Sequence, residues 1–506
     1  MEPNASAPAG DDDDVVGPTA GAAVRETHSA VVFFMGDLAV KVKKPVDLGF
    51  LDFSDPGTRG AVCEREVELN RRLAPDVYIG VGTVELPTAG LAEPMVVMRR
   101  LPESKSLSRL SRTGAPLGHR LDELARTVAA FHARADRSGA IDAAATSEAV
   151  VDQWEVNARV MEEWRHRVFP SGSLDRVAAL VRRYHAGRHA LFDRRIREGR
   201  ICDGHGDLLA DDIFCLDDGP RVLDCVEFDD RLRRVDVLSD VATLAMDLEA
   251  SGRPDLAQGW LDAYRRASGD EWPSSLAHHY IAYRAQVRAL VAAVRHGQGD
   301  ENAAATARSL TDVCLRHLER ARVRLVLVGG LPGTGKSTLA LSLARHLGAT
   351  VIRSDEVRRQ LLDPDAFAGG HPDGFDLGRY APSATDATYD SMIASARARL
   401  RMGETVVLDA TFRRQADREA ARALARTTSS DLEEFRCVAP RALAERRLSL
   451  RLAEGHDPSE ATAAVARRME ATFDPWPTAS EVDTGSADVS GDAATVVQAL
   501  GSPGAP

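Results

Sequence analysis

The pattern of apolar positions changes character along the chain, and the change divides it. His28 to Met35 is apolar and β-prone, Gly36-Asp37 has turn composition, and Leu38 to Lys43 resumes the strand pattern, which predicts a hairpin. Cys63 to Leu73 predicts a helix, and Glu93 to Arg99 a further strand. Leu121, Leu124, Ala125, Val128, Phe131 and His132 then repeat at helical spacing. The chain stays mostly helical from there to about residue 300, apart from a β-rich stretch at 201–228. This predicts a small β-rich lobe followed by a larger helical one.

His296-Gly-Gln-Gly-Asp300 has linker composition and precedes a predicted helix over 302–322. Beyond it the period changes again. Leu325–Val328, Thr350–Ile352 and Thr405–Leu408 are short continuous apolar runs with helical stretches between them, and Gly348 is placed to cap the first of those helices. Glu481–Asp483 predicts a last strand and Ala493–Leu500 a last helix. Alternating strand and helix implies a parallel α/β sheet. The expected organisation is an acidic disordered tail over 1–25, an α+β two-lobed domain over 26–300, a linker helix over 301–322 and an α/β domain over 323–502.

Composition narrows the function. The net charge of −12 argues against general coating of nucleic acid and against a membrane-surface role. No apolar run approaches the roughly 18 residues that span a membrane. The start of the chain is acidic and polar, unlike a secretory signal. Six scattered cysteines with no C-x-x-C pair suit a reduced, cytoplasmic setting. Lysine is scarce: Lys41, Lys43, Lys44, Lys105 and Lys336 stand against 59 arginines. A compact ammonium is not interchangeable with a guanidinium at a phosphate, so the surviving lysines mark candidate phosphate sites.

Gly330-Leu331-Pro332-Gly333-Thr334-Gly335-Lys336-Ser337 fits G-x-x-x-x-G-K-[ST] in full, after a predicted strand and opening a predicted helix. Such a loop cradles the phosphates of ATP with its backbone N–H groups, and the helix start, including Thr338, adds favourable potential. Lys336 would reach the β- and γ-phosphates and the Ser337 hydroxyl would hold Mg2+. Asp409 closes the strand Val-Val-Leu-Asp, the place of a magnesium-shell aspartate. Asp355 follows the strand after the P-loop helix. It can accept the proton of an attacking hydroxyl, with Arg358 one turn on to orient the substrate, or it can cap the helix. Arg447 and Arg451 share a helix face and form either a lid over the transferring phosphate or a solvated face.

With Ser354-Asp-Glu-Val-Arg358, Val406-Val-Leu-Asp-Ala-Thr-Phe412, Arg447-Leu-Ser-Leu-Arg451 and Asp457-Pro-Ser-Glu-Ala461, residues 323–500 resemble the small-substrate and polynucleotide-type P-loop kinases, including zeta-toxin-like and gluconate-kinase-like enzymes. The resemblance implies phosphoryl transfer to a hydroxyl acceptor. The near balance of charge over 323–476 leaves a polynucleotide open but gives it no basic footprint, and a small-molecule hydroxyl is the expected acceptor.

A second constellation lies upstream. His205-Gly-Asp207 can orient an acceptor hydroxyl, with Asp212 and Asp224 as Mg2+ ligands. Lys41, on a strand, can pair with Glu66 on the next helix to position the α- and β-phosphates; Lys43 shares the face of Lys41, so periodicity leaves both open, with Lys44 beside them. His205 reads as a brace for its loop, and His28-Ser29 as a loop over the phosphates. Together with Arg65–Ala74 (REVELNRRLA), His-Gly-Asp-Leu and Val235-Asp-Val-Leu-Ser-Asp240-Val-Ala, these residues resemble the aminoglycoside-phosphotransferase branch of the protein-kinase-like fold over 26–300. Asp212 departs from that family's asparagine and adds a charge to the metal site. Both halves in this order resemble bacterial fusions of such a domain with a P-loop kinase or ATPase domain. The resemblance implies two ATP- and Mg2+-dependent phosphotransferase modules. The alternative is a ligand-binding pseudokinase that regulates a P-loop kinase, and a third reading is an ATPase with a protein substrate.

Overall fold

The computed structural model describes residues 22–26, 29–47, 52–86, 91–114, 116–361, 381–454 and 462–485. His28, the 457–461 motif, the expected helix at 493–500 and residues 1–21 of the expected tail lie outside them, as does the side chain of Arg451.

Five antiparallel strands form the first lobe: β1 (Ala22–Glu26), β2 (Ala30–Met35), β3 (Leu38–Lys43), β4 (Tyr78–Leu86) and β5 (Leu91–Arg99), in the order β1-β2-β3-β5-β4. The β2–β3 hairpin turns at Gly36-Asp37, as its apolar alternation predicts. β1 corrects the expected tail over its last residues: pairing of Ala22–Glu26 with Val31–Met35 recruits backbone that composition alone leaves unassigned. β4 was not anticipated, because Gly80 and Gly82 dilute its strand propensity. The first helix spans Pro56–Asn70, starting earlier than predicted and ending earlier too. Asp55 caps it by accepting from the Thr58 N–H at 2.8 Å, and Pro56 sits where a missing N–H costs nothing. Cys63 and Val67 of this helix pack on Ala39, Val96 and Met98 of the sheet.

The second lobe is helical. It is crossed by two small antiparallel ribbons, β6 (Ile201–Asp203) with β9 (Arg234–Asp236), and β7 (Ile213–Leu216) with β8 (Gly219–Val222). Its last helix, Ser274–Gly297, packs along Ala303–Arg320 after a tight turn, which is how the Gly-rich 296–300 stretch is used.

The C-terminal sheet is parallel: β10 (Arg324–Gly329), β11 (Thr350–Arg353), β12 (Val406–Asp409), β13 (Asp431–Val438) and β14 (Ser480–Asp483), ordered β11-β12-β10-β13-β14. One apolar core runs from the helical lobe (Ala285, Ala289, Ala292) through Leu310, Val313 and Leu318 to Leu325, Leu327 and Leu408 of this sheet. Polar contacts follow the same seam. The Ser275 hydroxyl donates to the Gly403 carbonyl at 2.7 Å, and Arg188 donates to the Thr428 carbonyl at 2.6 Å. A Cβ on Gly187 would lie 2.0 Å from that same carbonyl oxygen, so only glycine permits the approach.

Candidate functional site

In the C-terminal sheet the chain leaves β10 toward β11 on one side and later crosses from β12 to β13 on the other. Loops at the carboxyl ends therefore diverge beside β10 and open a crevice there. The Gly330–Gly335 loop sits in it and leads into the Lys336–Leu347 helix. Gly330 and Gly333 have φ of 133° and 82°, and a Cβ on either would lie 2.5 Å from a carbonyl oxygen, of Cys437 and of Ala444. Glycine is demanded there by conformation and by space. The Leu331 carbonyl accepts from the Thr334 hydroxyl at 2.7 Å and from the Lys336 ammonium at 2.9 Å, folding the lysine back over its loop. Thr484 donates to the Thr334 carbonyl and pins the loop from the far side. Pro332 is buried and Thr338 exposed.

Asp409 is 5 % exposed at the end of β12, opposite Val328 in the ladder. An arginine absent from the sequence reading, Arg353, bridges it to the P-loop helix: its guanidinium donates to Ser337 Oγ at 3.2 Å and to Asp409 Oδ2 at 3.4 Å. A cationic group thus already joins the two oxygens assigned to a metal, so the donor set fits one. Asp355, in the first turn of the Ser354–Leu361 helix, accepts from Arg358 at 3.0 Å. Arg447 donates to the Thr484 carbonyl at 2.8 Å, and its buried Nη1, next to Gly335, has no hydrogen-bond partner among the described residues. That orphan faces the P-loop, where an anion would satisfy it.

In the N-terminal domain, Lys41 on β3 binds Glu66 at 3.0 Å and Asp224 at 2.6 Å, while the buried Lys43 binds Glu66 at 2.6 Å and also Glu227. Lys44 pairs with Glu26 instead. The shared face read from alternation is real: both lysines converge on one glutamate. Burial works against the Lys41 ammonium, but Asp224 and Glu66 outweigh it and hold its pKa well above the usual lysine range. Burial likewise pushes Asp224 up, and Lys41 brings it down to about 2.

Asp224 takes φ of 62°, unusual for a residue with a side chain. Its N–H donates to the Tyr78 hydroxyl at 3.2 Å, and the next N–H, of Cys225, donates to Asn70 Oδ1 at 2.9 Å. Asn70 donates in turn to the Glu66 carbonyl, so the helix that carries Glu66 also fixes the turn that carries Asp224.

The His205-Gly206-Asp207 loop hangs on Asp240. This wholly buried carboxylate accepts from the His205 and Gly206 N–H groups at 2.7 and 2.9 Å and from His132 at 3.1 Å. His205 contacts the Leu223 carbonyl at 3.0 Å, and burial lowers its pKa, so the ring is a neutral brace between two loops. The Asp207 carboxylate stands 3.7 Å from Arg288. Burial, then the charges of Asp224 and Asp207, raise the Asp212 carboxyl well above the ordinary range. A group so placed becomes a carboxylate readily only beside a cation, which fits a metal seat. Glu227 and Arg353 gave no sequence signal of their own as site residues, since each acquires its place through partners far away in the chain; Asp240 was marked only as part of the Val235–Ala242 motif, without a role.

Fold and site together define a kinase-like protein with two domains, an aminoglycoside-phosphotransferase-like domain followed by a P-loop kinase-like domain. Residues 50–278 match the Phosphotransferase enzyme family, and residues 325–476 match the AAA domain family. The chain belongs to the same two-domain family as uncharacterized proteins of Mycobacterium tuberculosis and Mycobacterium bovis, to which it is 44% identical over 461 residues, 91% of this chain and 92% of theirs. Among solved structures, the Mycobacterium tuberculosis APS kinase CysC in complex with AMPPNP and APS is 21% identical over 36% of this chain and 99% of its own, with a TM-score of 0.27. A choline/ethanolamine kinase family protein from Mesorhizobium loti is 15% identical over 60% and 94%, with a TM-score of 0.35. No helix among the described residues is long and apolar enough to cross a membrane.

Proposed function

We propose that the chain is a cytoplasmic, ATP- and Mg2+-dependent phosphotransferase with two nucleotide sites, divided at 26–300 and 323–502 with 301–322 as the connecting helix. The C-terminal domain moves the γ-phosphate to a hydroxyl of a small molecule. The observation that carries this reading is the buried Nη1 of Arg447 beside a folded P-loop, unpartnered among the described residues, a polar orphan that a phosphate oxygen would satisfy. Lys336 and the backbone of residues 330–338 hold the phosphates. Mg2+, held by Ser337 and Asp409, would supply positive charge to the phosphate oxygens. Asp355 accepts the acceptor's proton, and Arg358, which donates to it at 3.0 Å, orients that carboxylate. Arg451, on the same helix as Arg447, belongs to the proposed lid.

Asp355→Asn tests the assignment. Transfer to acceptor should fall between about 100- and 10,000-fold while ATP affinity stays within a few-fold, because the base acts on the hydroxyl and not on the nucleotide. A lowered melting temperature with unchanged turnover per folded molecule would reduce Asp355 to a helix cap.

In the N-terminal domain Lys41 and Glu66 would hold ATP, Asp212 and Asp224 the metal, and Asp207 the acceptor. A pseudokinase reading is favoured by the residue itself: Asp212 stands where the resembled family carries asparagine, so that three carboxylates, Asp207, Asp212 and Asp224, crowd one site. Binding of ATP is expected under either reading. In full-length protein with the P-loop disabled by Lys336→Ala, calorimetry should show ATP binding that requires Mg2+, and Asp212→Asn should weaken that metal requirement. Absence of any binding heat at millimolar Mg2+ would leave the kinase-like domain without a nucleotide site.

A further inference from the structure

Asp409 is a nearly buried carboxylate, and an ionised group in that position is costly unless a cation pairs with it. Arg353, the last residue of β11, provides the cation. Besides its bonds to Ser337 Oγ and Asp409 Oδ2, its Nη1 donates to Glu356 Oε1 at 3.1 Å. The partners differ in exposure: Asp409 is nearly buried, whereas Glu356, on the next helix, is half-exposed.

A divalent cation and the guanidinium compete for Asp409 Oδ2 and Ser337 Oγ, the same oxygens that Arg353 already occupies, and their repulsion disfavours joint occupancy. A guanidinium cannot give way by losing its proton, so it has to move. Its 3.4 Å contact with Asp409 is at the long end for a hydrogen bond and is cheaply surrendered. Glu356 gives it a partner outside the seat, and that partner stands next to Asp355, the proposed base.

Resting on the P-loop reading given above, we propose that Arg353 is a positioning residue that serves as the tethered counter-cation of the Ser337–Asp409 seat and is displaced toward Glu356 when a divalent cation enters. It keeps the two oxygens paired in the nucleotide-free protein and suppresses binding of metal alone. Metal then arrives with the nucleotide, whose phosphates add the ligands needed to win the seat. The same displacement delivers a positive charge to the acceptor side of the site only once the nucleotide is in place.

The test uses full-length, nucleotide-free protein titrated with Mn2+, with free Mn2+ read by electron paramagnetic resonance. Wild type, R353Q, R353K, D409N and R353Q/D409N are compared, so that Mn2+ held in the N-terminal domain cancels in the Asp409-dependent part. R353Q should raise the Asp409-dependent affinity about tenfold, R353K should stay close to wild type, and the double variant should lose the gain. Unchanged or weakened Mn2+ binding in folded R353Q overturns the proposal. If R353Q does not fold, E356Q decides: this surface change removes the outer partner and should weaken Asp409-dependent Mn2+ binding a few-fold, whereas no change overturns the proposal. MgATP calorimetry on wild type and on Lys336→Ala separates the two levels, because the N-terminal site is common to both. Binding heat that the substitution leaves unchanged defeats the P-loop reading, and a Lys336-dependent heat with indifferent Mn2+ titrations defeats only the role of Arg353.

Discussion

Lys336→Ala should cut phosphate transfer by the C-terminal domain at least about 1000-fold, or ~4 kcal/mol of transition-state stabilisation. The ammonium lies folded over the Leu331 carbonyl in the ligand-free protein, in a loop whose glycines leave no room for a side chain. Charge on the transferring group is met there by donors already in place, and the lysine is the only ammonium the C-terminal sequence possesses. The measurement is turnover of labelled ATP in full-length protein carrying Asp207→Asn, so that the other site does not mask the loss. The melting temperature should change little, since Lys336 is at the rim of the core. Activity within a few-fold of the parent would remove this loop from the chemistry.

The largest stability effect is expected at a buried ion cluster one helical turn from Asp240. Arg195 is 2 % exposed and makes paired bonds of 2.7–2.8 Å to Asp236 and to Asp270, both buried. Asp236 also caps the Val237–Ala250 helix by accepting from the Leu238 N–H at 2.9 Å. That helix carries Asp240, on which the His205–Asp207 loop depends. Arg195→Met leaves Asp236 without its cation and Asp270 with Arg200 alone, 3.2 Å away, and should cost about 3–5 kcal/mol. Adding Asp270→Asn should restore part of the loss, because the two sites are coupled. Chemical denaturation of the parent and the two variants measures this, and a loss below about 1 kcal/mol for Arg195→Met would show the cluster to be well hydrated.

What could be read from the sequence was what is local in the chain. The P-loop needs one strand, one turn and one helix start, all within a dozen or so residues, and its glycines and lysine are dictated by a backbone they themselves form. The β2–β3 hairpin and the convergence of Lys41 and Lys43 follow from alternation in the same way. Arg353 was invisible among 59 arginines because its meaning comes from Ser337 and Asp409, which the parallel register of β11 on β12 brings alongside. Asp240 gives no sign in its own neighbourhood that two N–H groups of a distant loop will end on its oxygens. β13 was missed because its charged residues interrupt the apolar run. Glu434 is acceptable inside it because Arg422, Trp476 and Thr478 all donate to its carboxylate.

The seam at Gly187 and Thr428 has a consequence for how such a protein can be inherited. A gene cut between the two halves would give each fragment an uncovered greasy face, made of residues that now belong to one uninterrupted interior. Neither half could be traded for a paralogue without rebuilding the other side of the joint, and even one methyl group at position 187 would pry it open. Recombination would therefore tend to transmit the two domains as a single indivisible cassette.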